Sequence, residues 1–214
     1  MSAALDFCFL GQVPYGDALL LQSQLREEVC GGRRDILLLL EHPTVITLGR
    51  SSKREHILAR EEELEARGIG VQRVSRGGEV TLHAPGQLVG YPIRRLVSRA
   101  VRAHVVGLIE GLRSYLQEAH GIPSRWREDN PGLWVKGAKI AAVGVDARRG
   151  VAMHGFALNL TNSLDLYQLI RPCGLDAPVT SLSKLLAREG PSPAVAAPAV
   201  ARAVGRALGV EELT

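Results

Sequence analysis

Cysteine is nearly missing from this chain: three in 214 residues. Cys8, Cys30 and Cys173 cannot all pair with one another, and their spacing matches no zinc-ligand template. A disulfide scaffold is therefore excluded, and reduced thiols in the cytoplasm are the simplest expectation. Aromatic residues are almost as scarce, at 4%. They do not interleave with the arginines, which argues against a base-stacking nucleic-acid surface. No uninterrupted apolar run approaches the ~20 residues that span a bilayer. The N-terminal MSAALDFCFLGQ has no basic segment ahead of a signal-length apolar core. There is no internal repeat and no long low-complexity linker. Nucleic-acid, membrane and metal-template classes are set aside, and no metal or cofactor is expected.

What is present suits one folded unit over residues 1–214. Hydrophobic residues make up 46%, an ordinary share for a globular protein, and a monomer is expected. The formal net charge is +4. Arginine pairs recur at Arg94–Arg95, Arg99 and Arg102, Arg125 and Arg127, and Arg148–Arg149. They either steer an acidic partner or form a solvated surface.

YGDALLLQSQLREEV reads as an amphipathic helix closed by Gly31–Gly32. DILLLLEHP and TVITLGR read as two neighbouring strands, and ILAREEELEARG as a polar helix ending at Gly68. EVTLHAPGQLVGYPI reads as two strands joined at Ala84–Pro85–Gly86. A longer helix runs from about Ser98 to Ala119. From Pro123 to Leu160 the pattern is a meander of strands. The remainder is helical, in SLSKLLARE and, after a Pro/Ala spacer, AVARAVGRALG. The expected class is α+β, a mixed, largely antiparallel sheet flanked by helices.

Four stretches carry candidate chemistry. In SRGGEVTLHAPG, Gly77 and Gly78 admit close backbone approach beside Arg76, and their amides can form a nest for an anion or carbonyl. His83 stands at a strand end. The structural alternative is a hairpin with a satisfied histidine. Lys139 in KGAKIAAVGV precedes a wholly apolar run, so it either snorkels to solvent or is held near a low-dielectric pocket. HGFALNL offers a glycine beside a histidine. RPCGL sets Cys173 between proline and glycine. It is either a small residue in a tight corner or a presented thiol, whose thiolate a nearby cation would stabilise for acyl transfer.

RGGEVTLHAPGQLVGYPI, GAKIAAVGV, HGFALNL and IRPCGLDAPVTSL, in this order, resemble the lipoate-biosynthesis octanoyltransferases. The likeness runs from about Gly49 to Leu185. Glu79, Leu82 and Ala84 depart from the family's usual Asp, aromatic and Gly. The resemblance implies the catalytic fold of the biotin and lipoate protein ligases. It implies transfer of an octanoyl group from octanoyl-acyl carrier protein to a lysine on lipoyl domains of 2-oxoacid dehydrogenases and the glycine-cleavage H protein. Cys173 would accept the acyl group as a thioester and Lys139 would lower its pKa. Arg76, Gly77, Gly78, Glu79, Val80, Thr81, Leu82 and His83 would line the acyl site. So would Ala142, Val143 and Gly144, and Gly155, Phe156 and Ala157. Small residues dominate these walls, as a saturated chain requires. At ~0.8 kcal/mol per methylene, six methylenes contribute roughly 5 kcal/mol of gross binding. An ATP-dependent ligase on the same fold, a cysteine-dependent amidotransferase moving octanoyl between lipoyl domains, and a non-catalytic module docking acidic carriers are the alternatives.

Overall fold

The computed structural model describes residues 4–97, 100–127, 131–171 and 178–214. In chain order its elements begin with strand β1 (Ala4–Gln12), helix α1 (Tyr15–Cys30), β2 (Asp35–Glu41), β3 (Val45–Leu48), α2 (Glu61–Ala66) and β4 (Gly70–Arg73). β5 (Val80–His83), β6 (Gln87–Arg95), α3 (Val101–His120), β7 (Arg125–Arg127) and β8 (Gly132–Val135) follow. β9 (Ala138–Arg148), β10 (Val151–Asn159), α4 (Leu182–Leu186), α5 (Pro193–Ala207) and β11 (Glu212–Leu213) complete the described chain.

β2 shows why the molecule is layered. Its DILLLLE is apolar at every interior position, and a strand sends successive side chains to opposite faces. Leu37 and Leu39 enter the core shared with α3 and α5, whereas Ile36, Leu38 and Leu40 enter the core under α1. Among the described residues the large sheet has the order β11-β1-β2-β6-β10-β9-β8-β7. β11, β1 and β2 run parallel, and every pairing from β2 through β7 is antiparallel. The mixed, largely antiparallel α+β expectation is met.

Two strand expectations change. β2 and β3 are not neighbours, because β3 belongs to a second sheet of order β4-β3-β5. Pro43 lies between them, and a proline cannot donate to a ladder. The turn at Ala84–Pro85–Gly86 likewise joins no hairpin: β5 pairs with β3, and β6 pairs with β2 and β10. That turn carries the chain from the small sheet into the large one. The Pro/Ala spacer is also corrected, since Pro193–Ala207 is continuous helix. Ser192 caps it by accepting from the Val195 amide, and Pro193 occupies the first turn, where no N–H is needed.

β8 and β9 are joined through Lys136 (φ +47°) and Gly137 (φ +82°). Two successive left-handed residues make the tight turn that suits strand twist. It leaves Lys139 two residues into β9. α3 and α5 approach closely, and a side chain at Gly111 would meet the Val204 Cα at 2.6 Å.

Candidate functional site

The two sheets meet at a cavity of about 310 Å³. Its walls come from the β4–β5 connection and β5 on one side, with β9 and β10 on the other. Arg76 is 9% exposed. Its Nη2 donates to the Thr47 carbonyl (2.9 Å) and hydroxyl (2.8 Å), and Nη1 donates to the Gly77 carbonyl (3.1 Å). The guanidinium is thereby fixed on β3 rather than free to snorkel. Gly77 donates its amide to the Val145 carbonyl (2.9 Å), which seams the small sheet's loop to β9. Gly78 takes a φ of +85°, a backbone that other residues adopt at a cost. The seam tolerates no side chain at Gly144, where a Cβ would meet the Gly77 carbonyl oxygen at 2.9 Å. Glu79 accepts from His56 Nδ1 at 2.9 Å.

Lys139 faces this cavity and is 7% exposed. Its ammonium lies 5.8 Å from the centroid of the buried Trp134 ring, within cation–π range. Gly132 leaves the space its stem occupies, for a Cβ there would collide with Lys139 Cε. The Lys139 backbone is also committed. Its amide donates to the Pro178 carbonyl (2.8 Å), and its carbonyl accepts from the Thr180 amide (2.9 Å). Lys139 and Val179 thus form an isolated parallel bridge. On the other flank of RPCGL, the Arg171 amide donates to the His56 carbonyl (2.7 Å).

A buried polar hub braces this junction. Asn159, at the end of β10, donates from Nδ2 to the Thr180 carbonyl (3.0 Å). Its Oδ1 accepts from Gln87 Nε2 (2.9 Å) and from the Tyr167 hydroxyl (3.0 Å). Gln87 Oε1 can only accept, so His83 Nδ1 donates to it at 2.8 Å. Burial, then the neighbouring His42, hold the His83 pKa well below its ordinary value. Burial lifts the Tyr167 hydroxyl to about 12, so it remains a donor.

Behind the cavity is a smaller chamber of about 40 Å³. Arg76, Thr81, Ala142, Val143 and Ala157 line both spaces. The chamber adds Tyr15, His83, Tyr91, Gly144, His154, Gly155 and Phe156. His42 supports this floor from behind. Its Nδ1 donates to the Val13 carbonyl (2.6 Å), so its Nε2 accepts from the Tyr91 hydroxyl (2.7 Å). Burial lowers His42 and His154 to about 4, leaving both rings neutral at pH 7.

The expected site residues converge with two exceptions in detail. Leu82 is fully buried in the small sheet's own core instead of facing the cavity. Gly77 acts through its backbone at the seam and is not part of the lining. Cys173 lies outside the described residues.

The lipoyl protein ligase A/B catalytic domain family matches residues 14–205. An octanoyltransferase of Caldicellulosiruptor saccharolyticus is 45% identical over 85% of this chain and 80% of its own length. One from Solibacter usitatus is 47% identical over 82% of this chain and 81% of that protein. The chain belongs to the octanoyltransferase family. In fold it resembles lipoate-protein ligase A bound with ATP, with a TM-score of 0.75 over 99% of this chain and 87% of the other, at 16% identity. Biotin protein ligase from Aquifex aeolicus, in complex with biotin and ATP, gives 0.57 over 95% and 70%, at 14% identity. The biotin and lipoate ligase fold is therefore shared.

Set within that family, the residues that sequence reasoning missed have recognisable signals. Three of the chain's four tyrosines, Tyr15, Tyr91 and Tyr167, line the two spaces. In an aromatic-poor chain that concentration is itself a marker. Asn159 interrupts the apolar FALNL, and a polar residue inside a buried run needs partners. No helix of the described residues is long and apolar enough to cross a membrane. No cluster of metal-binding side chains occurs among the described residues.

Proposed function

We propose that this protein transfers an octanoyl group from octanoyl-acyl carrier protein to a lysine of lipoyl domains, through a thioester on Cys173. The observation that carries this reading is the position of Lys139. It is a buried ammonium at a cavity with small-residue walls, and its backbone is bonded on both sides to Pro178–Thr180. That segment and Arg171 flank the stretch that holds Cys173. The octanoyltransferase relatives supply the reaction class.

In the first half-reaction the Cys173 thiolate, stabilised by the Lys139 ammonium, attacks the carbonyl carbon of the carrier thioester. A new C–S bond forms, and the carrier's C–S bond breaks as its thiolate departs and takes the proton that Lys139 gives up, leaving Lys139 a neutral amine. Arg76 and Gly78 line the cavity that takes the carbonyl, and the guanidinium's positive charge favours the negative charge that develops there. In the second half-reaction a neutral lysine amine of the acceptor attacks the Cys173 thioester. The amide bond forms, the amine loses a proton, and the Cys173 thiolate is released. Acylation removes the charge that held Lys139 cationic, so Lys139 can act as the base for that proton.

Intact mass after mixing with octanoyl-acyl carrier protein tests the reading. Wild type gains one octanoyl group, hydroxylamine removes it, and Cys173→Ser gains none. Absence of the adduct on wild type overturns the proposal. A Lys139→Ala variant with wild-type transfer rates across neutral pH removes the role given to Lys139.

A further inference from the structure

Charge is sparse in the outer cavity and unevenly placed. Among the described residues that line it, Arg76, Lys139 and Glu79 carry charged groups. The two cations are buried, whereas the Glu79 side chain keeps 24% of its surface exposed. Its position is fixed from both sides. Val80, the next residue, is buried in the small sheet's core and pairs with Leu48 of β3. His56 Nδ1 donates to Glu79 Oε2 at 2.9 Å. His56 is held in turn, with its amide donating to the Lys53 carbonyl (3.2 Å) and its carbonyl accepting from the Arg171 amide. A neutral imidazole with its proton on Nδ1 makes the bond to Glu79 and leaves the carboxylate its charge. One carboxylate oxygen is thus occupied. The other, Oε1, accepts from none of the described residues.

Resting on the acyl-transfer reading above, we propose that Glu79 is the recognition group for the acceptor lysine, its second carboxylate oxygen receiving the incoming ammonium. The two half-reactions bring opposite charge to one cavity. The donor's carbonyl develops negative charge, which the cations favour. The acceptor lysine, with an ordinary pKa of ~10.4, arrives as an ammonium, which those same cations repel. A desolvated ammonium also needs an acceptor for its protons, and a carboxylate is the strongest one. Glu79 is the one carboxylate among the described residues that line the cavity. Once Lys139 has given up its proton to the departing carrier thiolate, Glu79 faces a lining whose remaining cation is Arg76. Glu79 acts on the encounter and not on bond making. The bound ammonium gives one proton to water, a loss that the Arg76 charge favours, and the neutral amine then attacks the thioester as above. An uncharged nucleophile gains nothing from this carboxylate.

The brace of Glu79 also belongs to the nucleophile's end of the site. His56 reaches Glu79 through its ring and Arg171 through its carbonyl, and Arg171 stands two residues before Cys173 in the sequence. The next residues continue the contact: Ile57 bridges to Ile170, and the Leu58 amide donates to the Leu169 carbonyl at 2.9 Å. One short segment thus holds both the carboxylate that meets the amine and the backbone that leads to the thiol.

The test discharges one octanoyl-enzyme preparation in two ways. The adduct is formed from octanoyl-acyl carrier protein, freed of donor, and mixed either with an apo lipoyl domain or with hydroxylamine, which is uncharged at neutral pH. Intact mass follows both rates, and their ratio cancels general damage to the site. Glu79→Gln keeps the shape and an oxygen for His56. Its domain-to-hydroxylamine ratio falls about tenfold or more, the scale of a hydrogen bond to a charged group. The fall appears as a higher domain concentration at half-maximal rate. Glu79→Asp keeps the charge and retains most of the wild-type ratio. An unchanged ratio in Glu79→Gln overturns the proposal, and so does a Glu79→Asp ratio as low as that of Glu79→Gln. A Glu79→Gln chain that takes up no octanoyl group also overturns it, since Glu79 is given no part in acylation. Failure of wild type to form any octanoyl adduct instead overturns the acyl-transfer reading itself.

Discussion

Removal of the Asn159 side chain separates positioning from chemistry. The amide lines the same cavity as Lys139, and its hydrogen bonds to Thr180, Gln87 and Tyr167 tie β10 to the Pro178–Thr180 segment that clamps Lys139. In Asn159→Ala the Thr180 carbonyl loses its donor, and the Tyr167 hydroxyl and Asn162 Nδ2 lose their acceptor. Gln87 Nε2 is spared, for it still donates to the Leu82 carbonyl (3.2 Å) and the Tyr167 oxygen (3.1 Å). Three orphaned buried groups at about 1–3 kcal/mol each give a loss of roughly 3 kcal/mol or more. Urea unfolding at pH 7 reads this as a lower midpoint at an unchanged slope. In parallel, single-turnover acylation from octanoyl-acyl carrier protein slows, while the pH at which the rate is half-maximal stays at its wild-type value. Asn159→Asp keeps the acceptor oxygen but cannot donate to Thr180, so it does not restore the rate. A folded Asn159→Ala variant that loses less than about 1 kcal/mol and acylates at the wild-type rate refutes the bracing role.

Gly132→Ala inserts a methyl where Lys139 Cε lies and 2.7 Å from the Ala141 carbonyl oxygen. Its expected outcome is a reduced acylation rate with a shifted pH–rate profile, measured by adduct formation across pH 6–9. Gly144→Ala forces a Cβ against the Gly77 oxygen and opens the seam, costing about 1–3 kcal/mol as overpacking does, checked by urea unfolding. Acid lowers stability through His42 and His154. Both are held at about 4 by burial, below an unfolded value near 6.5, so the unfolded chain binds more protons between those limits. Their contribution is complete above pH ~6.5 and falls away towards pH 4, by up to about 3 kcal/mol for each ring. A urea midpoint that does not drop across that interval counts against buried neutral rings.

Much of the architecture is legible from local pattern. DILLLLE declares a strand buried on both faces, and the meander from β8 to β10 follows from its turn glycines. What local pattern hides is which strand pairs with which. TVITL and EVTLH look like continuations of their neighbours, yet both enter the small sheet, because the prolines between them forbid continuous ladders while saying nothing of where the chain goes next. The site divides the same way. Lys139 is marked by its place before an apolar run, and Arg76 by the glycines beside it. The burial of Arg76 on Thr47 is invisible, since 29 residues separate them. His154, Tyr15 and Tyr91 come from three distant segments, and only the folded sheet makes them one floor. Leu82 went the other way: it belongs to the right motif, but its place in the strand turns it toward the small core.

Neither α3 nor α5 contributes a residue to either space, although together they cover one whole face of the large sheet. This separates two kinds of phenotype in a cell. Substitutions that loosen the Gly111–Val204 contact raise the fraction of unfolded chain exposed to proteolysis, and a loss of 1–2 kcal/mol changes abundance several-fold. The surviving molecules keep their choice of substrate. Changes at the polar floor, at Tyr15, Tyr91 or His154, act on the site without touching that contact. Abundance and site geometry are thus set by different elements of one fold.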